Sequence, residues 1–233
     1  MKISFKYIIA ILCIITLYSC KKDNYDAPSS MLSGRLVYQG APIQVEYDRV
    51  SFQLFQFGFG KVGALGGTFD QDGKYSMLLF DGEYKFTIPN GQGPFLWKKT
   101  PSGTPDSLTI DLRGAQTVDI EVTPYYMVRN PQLSASGQTV SGSFGLDKII
   151  DGVEGKDVER VNLYVNKTLF VSGANNIATS GLDGSEIADL NNINLQVTVP
   201  AMTPSQNYVF ARIGVKIAGV EDMIFSQIEK INL

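Results

Sequence analysis

The 233-residue sequence predicts an all-β fold, two β-sandwich domains in tandem behind an apolar leader and a short polar tether. Three observations carry this. From about position 33 onward, turn residues recur every eight to twelve positions, drawn from 23 glycines and 10 prolines. The runs between them are rich in Val, Ile, Phe and Tyr, which suits a pleated, half-buried strand. No long segment keeps a helical period. Each of two domains of about 100 residues is long enough to bury a core of its own.

Residues 1–19 read as a signal peptide. Lys2 and Lys6 precede an apolar run from Tyr7 to Leu17, too short to span a bilayer as a permanent helix. The competing reading is an uncleaved N-terminal anchor. Leu17-Tyr18-Ser19-Cys20 resembles a bacterial lipobox, which implies cleavage before Cys20, acylation of its thiol and membrane attachment through that lipid. Each buried methylene stabilises attachment by about 0.8 kcal/mol, so two or three chains hold firmly where one would not. The competing reading of Cys20 is an ordinary buried thiol. Residues 20–31 form a tether without periodicity, and Lys21 stands where an inner-membrane retention signal would carry Asp. The outer membrane is therefore expected, with either the cell surface or the periplasmic leaflet open. Cys13 would leave with the leader, so no thiol remains for a disulfide, a metal or nucleophilic chemistry. Loss of Lys2 and Lys6 moves the formal charge from −3 to −5, and an unclustered acidic surface argues against nucleic acid.

The first domain is expected over 32–123, with strands at 34–38, 44–57, 74–79, 83–88, 107–112 and 117–122. Within 50–59 the apolar positions change phase: Phe52 and Leu54 are even, whereas Phe55, Phe57 and Phe59 are odd. Such a shift predicts a β-bulge with all four phenylalanines in the core. Ser33-Gly-Arg-Leu-Val, Gly40-Ala-Pro-Ile, Thr68-Phe-Asp-Gln-Asp-Gly-Lys-Tyr-Ser and Asp81-Gly-Glu-Tyr-Lys-Phe together resemble a carboxypeptidase-regulatory-like or transthyretin-like sandwich. Asp72-Gly73 and Asp81-Gly82 read as tight hairpin turns, with Tyr75 and Tyr84 closing the sandwich.

The second domain is expected over 124–233, with strands at 127–135, 139–144, 157–165, 169–172, 193–199, 207–216 and 223–231. Seven short strands and the run Asn207 to Val215 resemble a fibronectin-III or immunoglobulin-like sandwich. The apolar residues of that run do not keep one phase, which predicts a bulge near Ala211. Segment 180–190 reads as one helical turn or none.

Taken from lipobox to Val122-Thr-Pro-Tyr125, the chain resembles a Bacteroidota lipoprotein family whose members carry a domain of unknown function and tend to be encoded beside outer-membrane glycan-uptake systems. The resemblance implies capture of glycan at the cell surface, with a TonB-dependent transporter complex as a further partner.

Chemistry is sparse. The sequence contains no histidine, which removes Ser-His-Asp and Cys-His triads, His-ligated zinc and the commonest general base. No phosphate loop or dinucleotide fingerprint occurs, and no cofactor, metal or catalytic residue is assigned. A carboxylate-pair glycosidase is the enzymatic alternative. Asp70-Gln-Asp-Gly begins like a calcium loop but lacks its closing Glu, so a turn is preferred. Asp147, Asp151, Glu154 and Asp157 read as a solvated loop or a calcium site. For ligand binding the best candidates are Trp97 and Phe95, in the Gly- and Pro-flanked segment 91–99, with Tyr125 and Tyr126 at the domain junction. Aromatic faces stack on sugars. The alternative is that Trp97 plugs one end of the first sandwich. Three functions are thus open: a non-catalytic glycan-capture lipoprotein, an accessory partner of a transporter or surface assembly, and the glycosidase.

Overall fold

The computed structural model describes residues 26–58 and 63–233; the leader, Cys20 and Phe59 lie outside them. The first sandwich contains β1 (Ser30–Tyr38), β2 (Ala41–Pro42), β3 (Ser51–Gln56), β4 (Ala64–Thr68), β5 (Lys74–Leu79) and β6 (Gly82–Thr87). It continues through β7 (Phe95–Leu96), β8 (Leu108–Leu112), β9 (Gln116–Thr117), β10 (Ile120–Glu121) and β11 (Thr123–Pro124). One sheet is centred on β1, antiparallel to β5 and β2 and parallel to β9 and β10. The facing sheet runs β4-β3-β6-β8. Between them Phe52 stacks on Phe86 at 4.9 Å and touches Phe69 and Tyr75, with Leu32, Leu36, Leu54 and Tyr84 around this aromatic centre.

The second sandwich contains β12 (Tyr126–Ser136), β13 (Thr139–Lys148), β14 (Val158–Asn166) and β15 (Ala178–Asp183). It ends with β16 (Ile193–Thr198), β17 (Tyr208–Ile217), β18 (Ile224–Phe225) and β19 (Glu229–Asn232). Its sheets run β12-β13-β16 and β15-β14-β17-β18, with β19 also on β17. The fold is all-β, as expected.

Several local expectations change. The turns at Asp72-Gly73 and Asp81-Gly82 are not hairpins, because β5 pairs with β1 whereas β4 and β6 pair with β3. Both turns carry the chain from one sheet to the other. The Asp70 carboxylate accepts the N–H groups of Asp72 and Lys74, so it fastens the first turn from within. No bulge interrupts β3, whose pairing with β4 and β6 is continuous. Phe52 and Leu54 face the core, Phe55 lies half-buried on the outer face, and Phe57 is exposed. The change of hydrophobic phase therefore marks apolar residues on the outside of a regular strand.

β17 has no bulge at Ala211 either. Val209, Ala211, Ile213, Val215 and Ile217 hold one phase toward the sandwich interior, and the opposite face is buried too, at Arg212 and Gly214. The irregularity sits instead between Val158 and Arg160 of the partner strand and between Arg129 and Gln132. Residues 169–172 form a loop, and the strand that pairs with β14 is β15. β15 ends in a single 3-10 turn, Gly184–Glu186, closed by a capping box between Asp183 and Glu186.

One hydrophobic cluster runs through both sandwiches. The Phe225 N–H donates to the Gln44 carbonyl at 3.0 Å, the Gln71 amide donates to the Leu169 carbonyl at 3.1 Å, and the Gly93 N–H donates to Asp222 at 2.7 Å. Arg212 lies in the same interface with none of its surface exposed. Its Nε donates to the Val171 carbonyl, its Nη1 donates to the Val45 carbonyl, and its guanidinium stacks on Phe225 at 3.7 Å. Burial depresses its pKa to about 9.

Candidate functional site

Among the concavities of the described residues, two stand out for their aromatic and polar lining. The smaller, about 210 Å³, is formed by segment 89–99 together with Pro105, Tyr125, Lys156 and the turn 219–221. Gly93 shapes the segment: its φ is +80°, and a Cβ there would lie 2.2 Å from the Phe95 ring. Phe95, paired through β7 with β11, is buried and so is Tyr125. Trp97 is half-buried, its indole N–H donates to the Asp106 carbonyl at 2.8 Å, and its ring meets Phe86 edge-on. Trp97 thus both seals the end of the sandwich and shows part of its ring to the cleft.

Tyr126 is removed from this group. Its ring is 2% exposed and its hydroxyl donates to the Lys156 carbonyl, so it is a core residue with no face free for a ligand. Phe95, 4% exposed, supports the cleft floor from below and offers little surface of its own. The sequence reading sets Tyr126 at the junction and Phe95 in the loop segment 91–99, but an aromatic in either place is as useful for packing as for recognition.

The larger concavity is an open groove of about 730 Å³ across the first sandwich. Ser33, Arg35, Asp70, Lys74, Thr117 and Asp119 are among its polar groups, and of its aromatic residues Tyr47 is the exposed one, Phe69 and Tyr75 being buried. Tyr47 is 52% exposed and meets Phe170, itself 46% exposed, in an edge-to-face pair with ring centroids 5.1 Å apart. Tyr47 comes from the loop before β3 and Phe170 from the loop after β14, so the pair forms only when the two sandwiches are docked. A hydrophobic pair in solvent is costly to keep without use, and edge-to-face geometry leaves ring surface open. Sequence reading missed both residues. A lone aromatic inside the polar stretch Glu46-Tyr-Asp-Arg49 was the available signal for Tyr47, and Phe170 was hidden by its assignment to a strand.

The acids of loop 147–157 are partly spoken for, since Asp147 pairs with Arg129 at 3.0 Å and Asp157 with Lys148 at 3.4 Å. Among the described residues no group of three His, Cys, Asp or Glu side chains could hold a metal ion.

The chain is similar to solved proteins over nearly all its length. A Parabacteroides merdae protein of the DUF3823 family shares 32% identity and a TM-score of 0.77, covering 89% of this chain and 100% of that one. A Bacteroides ovatus protein of the same family shares 27% identity at a TM-score of 0.75, covering 88% and 100%. A candidate carbohydrate-binding protein from Bacteroides uniformis shares 14% identity at a TM-score of 0.65, covering 89% and 100%, a likeness of fold alone. No curated protein matches. The DUF3823 N-terminal domain, described as a protein of unknown function, matches residues 30–123, and the DUF3823 C-terminal domain of unknown function matches 126–230, so the chain belongs to the DUF3823 family.

Proposed function

We propose that this protein is a non-catalytic glycan-capture lipoprotein, held by lipid on Cys20 at the outer membrane. The observation that carries the reading is the exposed Tyr47–Phe170 pair at the groove that holds Arg35, Asp70, Lys74 and Asp119. Sugars present C–H faces to aromatic rings and hydroxyls to mixed donors and acceptors, and this surface offers both. The lack of histidine is in keeping with capture rather than turnover. The fold shared with a candidate carbohydrate-binding protein lends the reading a scaffold and no more. Its test is binding of the full protein to a glycan array, with Tyr47→Ala and Phe170→Ala alongside. Each substitution is expected to weaken a bound glycan by about tenfold, as loss of one stacking contact does with nucleic-acid bases, and to leave the melting temperature nearly unchanged. A parent that binds no glycan, or variants that bind as well as the parent, would sink the reading.

A second reading, an accessory partner of a transporter or surface assembly, is favoured by one feature. Met31 and Leu78 are cross-strand partners, 39% and 56% exposed, and among the described residues β5 pairs only with β1. Such an edge invites another chain. Met31→Lys with Leu78→Lys is expected to abolish co-purification with a membrane partner while sparing glycan binding; unchanged co-purification counts against this reading.

A further inference from the structure

Apart from the groove beside Tyr47, the cleft beneath Trp97 has a charge pattern of its own. Lys98, Lys99 and Lys156 all line its 210 Å³, in a chain whose formal charge is −3. Among the described residues none of these three ammonium groups has a carboxylate within ion-pair reach, although Lys74, Lys85 and Lys148 each do. The one carboxylate in the lining is Glu221, and the neighbouring Asp222 is engaged with the Gly93 N–H. The cleft therefore carries an excess of positive charge.

Two of the lysines are held in place by aromatic rings. The Lys98 ammonium sits 5.4 Å from the centre of the Trp97 ring and donates to the Ser107 carbonyl at 2.8 Å. The Lys156 ammonium sits 5.9 Å from the centre of the Tyr125 ring. Both distances lie within the range of cation–π attraction. A lysine normally loses much side-chain freedom when it binds an anion; here rings anchored in the core have already taken part of that loss. Lys98 comes from the first sandwich and Lys156 from the second, so docking of the sandwiches brings their charges to one small hollow.

We propose that this cleft binds the anionic group of an acidic saccharide, a uronate carboxylate or a sulfate ester, with the visible edge of Trp97 against the sugar. The proposal rests on the glycan-capture reading and adds the class of glycan. Neutral sugars would use the Tyr47–Phe170 surface alone, whereas an acidic residue would be selected by the lysines.

The test uses calorimetry on the full protein with three probes: trigalacturonic acid, a sulfated oligosaccharide and neutral maltotriose. Lys98→Gln/Lys99→Gln/Lys156→Gln is compared with the parent. The parent is expected to bind at least one acidic probe about tenfold more tightly than maltotriose, with affinity falling as salt rises, and the triple variant is expected to lose that preference. Preference for the carboxylated over the sulfated probe, or the reverse, identifies the anion. Equal affinity for acidic and neutral probes in the parent would overturn the acidic class and leave glycan capture standing. Acidic preference that survives in the triple variant would overturn the site. Inorganic sulfate that displaces the acidic probe at equal concentration would overturn its assignment to a saccharide. A parent that binds none of these probes or any arrayed glycan would overturn this inference together with the reading beneath it.

Discussion

The Arg212 Nη1 of the second sandwich donates to the backbone carbonyl of Val45 in the first at 3.1 Å, with both residues fully buried. No carboxylate accompanies the guanidinium in its hydrogen bonds; two main-chain carbonyls and the face of Phe225 serve instead. Its remaining nitrogen, Nη2, is buried without a hydrogen-bond partner. Arg212→Ala is expected to lower stability by about 3 kcal/mol, since it leaves a cavity and two carbonyls without their donor. Denaturant unfolding of the variant beside the parent measures this. A loss below about 1 kcal/mol would show that desolvation of the guanidinium cancels what its contacts contribute.

High pH should unfold the protein through its tyrosines. Burial raises the pKa of Tyr75, Tyr84, Tyr125, Tyr126 and Tyr164 above the ordinary 10.0. The folded state then holds phenol protons that the unfolded state releases, so the stability these groups contribute is present below pH 10 and is lost as pH rises beyond it. Arg212 acts in the opposite sense, because its depressed pKa of about 9 makes the folded state release a proton first. The five tyrosines shift in one direction, and the expectation is that they set the net trend. Phenolate absorbance should show Tyr75, Tyr84, Tyr125, Tyr126 and Tyr164 titrating above the ordinary range while the fold holds. Reversible titration of all of them near pH 10 would contradict the burial.

Gly73 is held by both its backbone and its surroundings. It adopts φ +70°, and a Cβ there would lie 2.0 Å from the Ile43 carbonyl oxygen, which is backbone and cannot swing aside. Gly73→Ala should cost about 3 kcal/mol or prevent folding, whereas Gly40→Ala, at φ +78° but with open space around it, should cost about 1 kcal/mol. Thermal melts of the two variants separate packing from backbone strain.

Trp97 has a structural share that can be measured apart from any ligand. Trp97→Ala should destabilise by about 3 kcal/mol, through the lost contact with Phe86 and the lost bond to the Asp106 carbonyl. Trp97→Phe keeps the ring contact and loses the bond, so about 1 kcal/mol is expected. Equal melting temperatures for all three proteins would mean that the ring seals nothing.

The turn chemistry and alternation of this chain revealed most of its strands, because Asp-Gly pairs and period-2 patterns act locally. β5 and β13 were legible for that reason. β4 was not: its Gly66-Gly67 pair reads as a loop, yet Gly67 is there because a Cβ would lie 2.4 Å from the Phe52 ring. β15, Ala178–Asp183, has Leu182 as its one large apolar residue, whereas Leu169, Phe170 and Val171 are apolar in sequence without being paired. In β17 the other face is covered too, so Tyr208 and Phe210 there mask the single phase that Val209, Ala211, Ile213, Val215 and Ile217 keep. Trp97, Phe95 and Tyr125 were found as neighbours because a loop and a junction mark them. Tyr47 and Phe170 meet only across the docked sandwiches, and one chain read in order gives no hint of such a meeting.

The Gln44–Phe225 bridge also has a consequence in time. Contacts this distant in sequence carry a large loop-closure cost and form late. Val45 and Arg212 are 167 residues apart, and the bridge lies just beyond them. As the chain is made, the first sandwich can begin to collapse, but the carbonyls at Gln44 and Val45 must wait for β17 and β18 before they gain their seam partners. A chain released short of β17 and β18 would carry a first sandwich whose seam carbonyls lack their partners, so the seam closes only once the strands that supply Arg212 and Phe225 have been made.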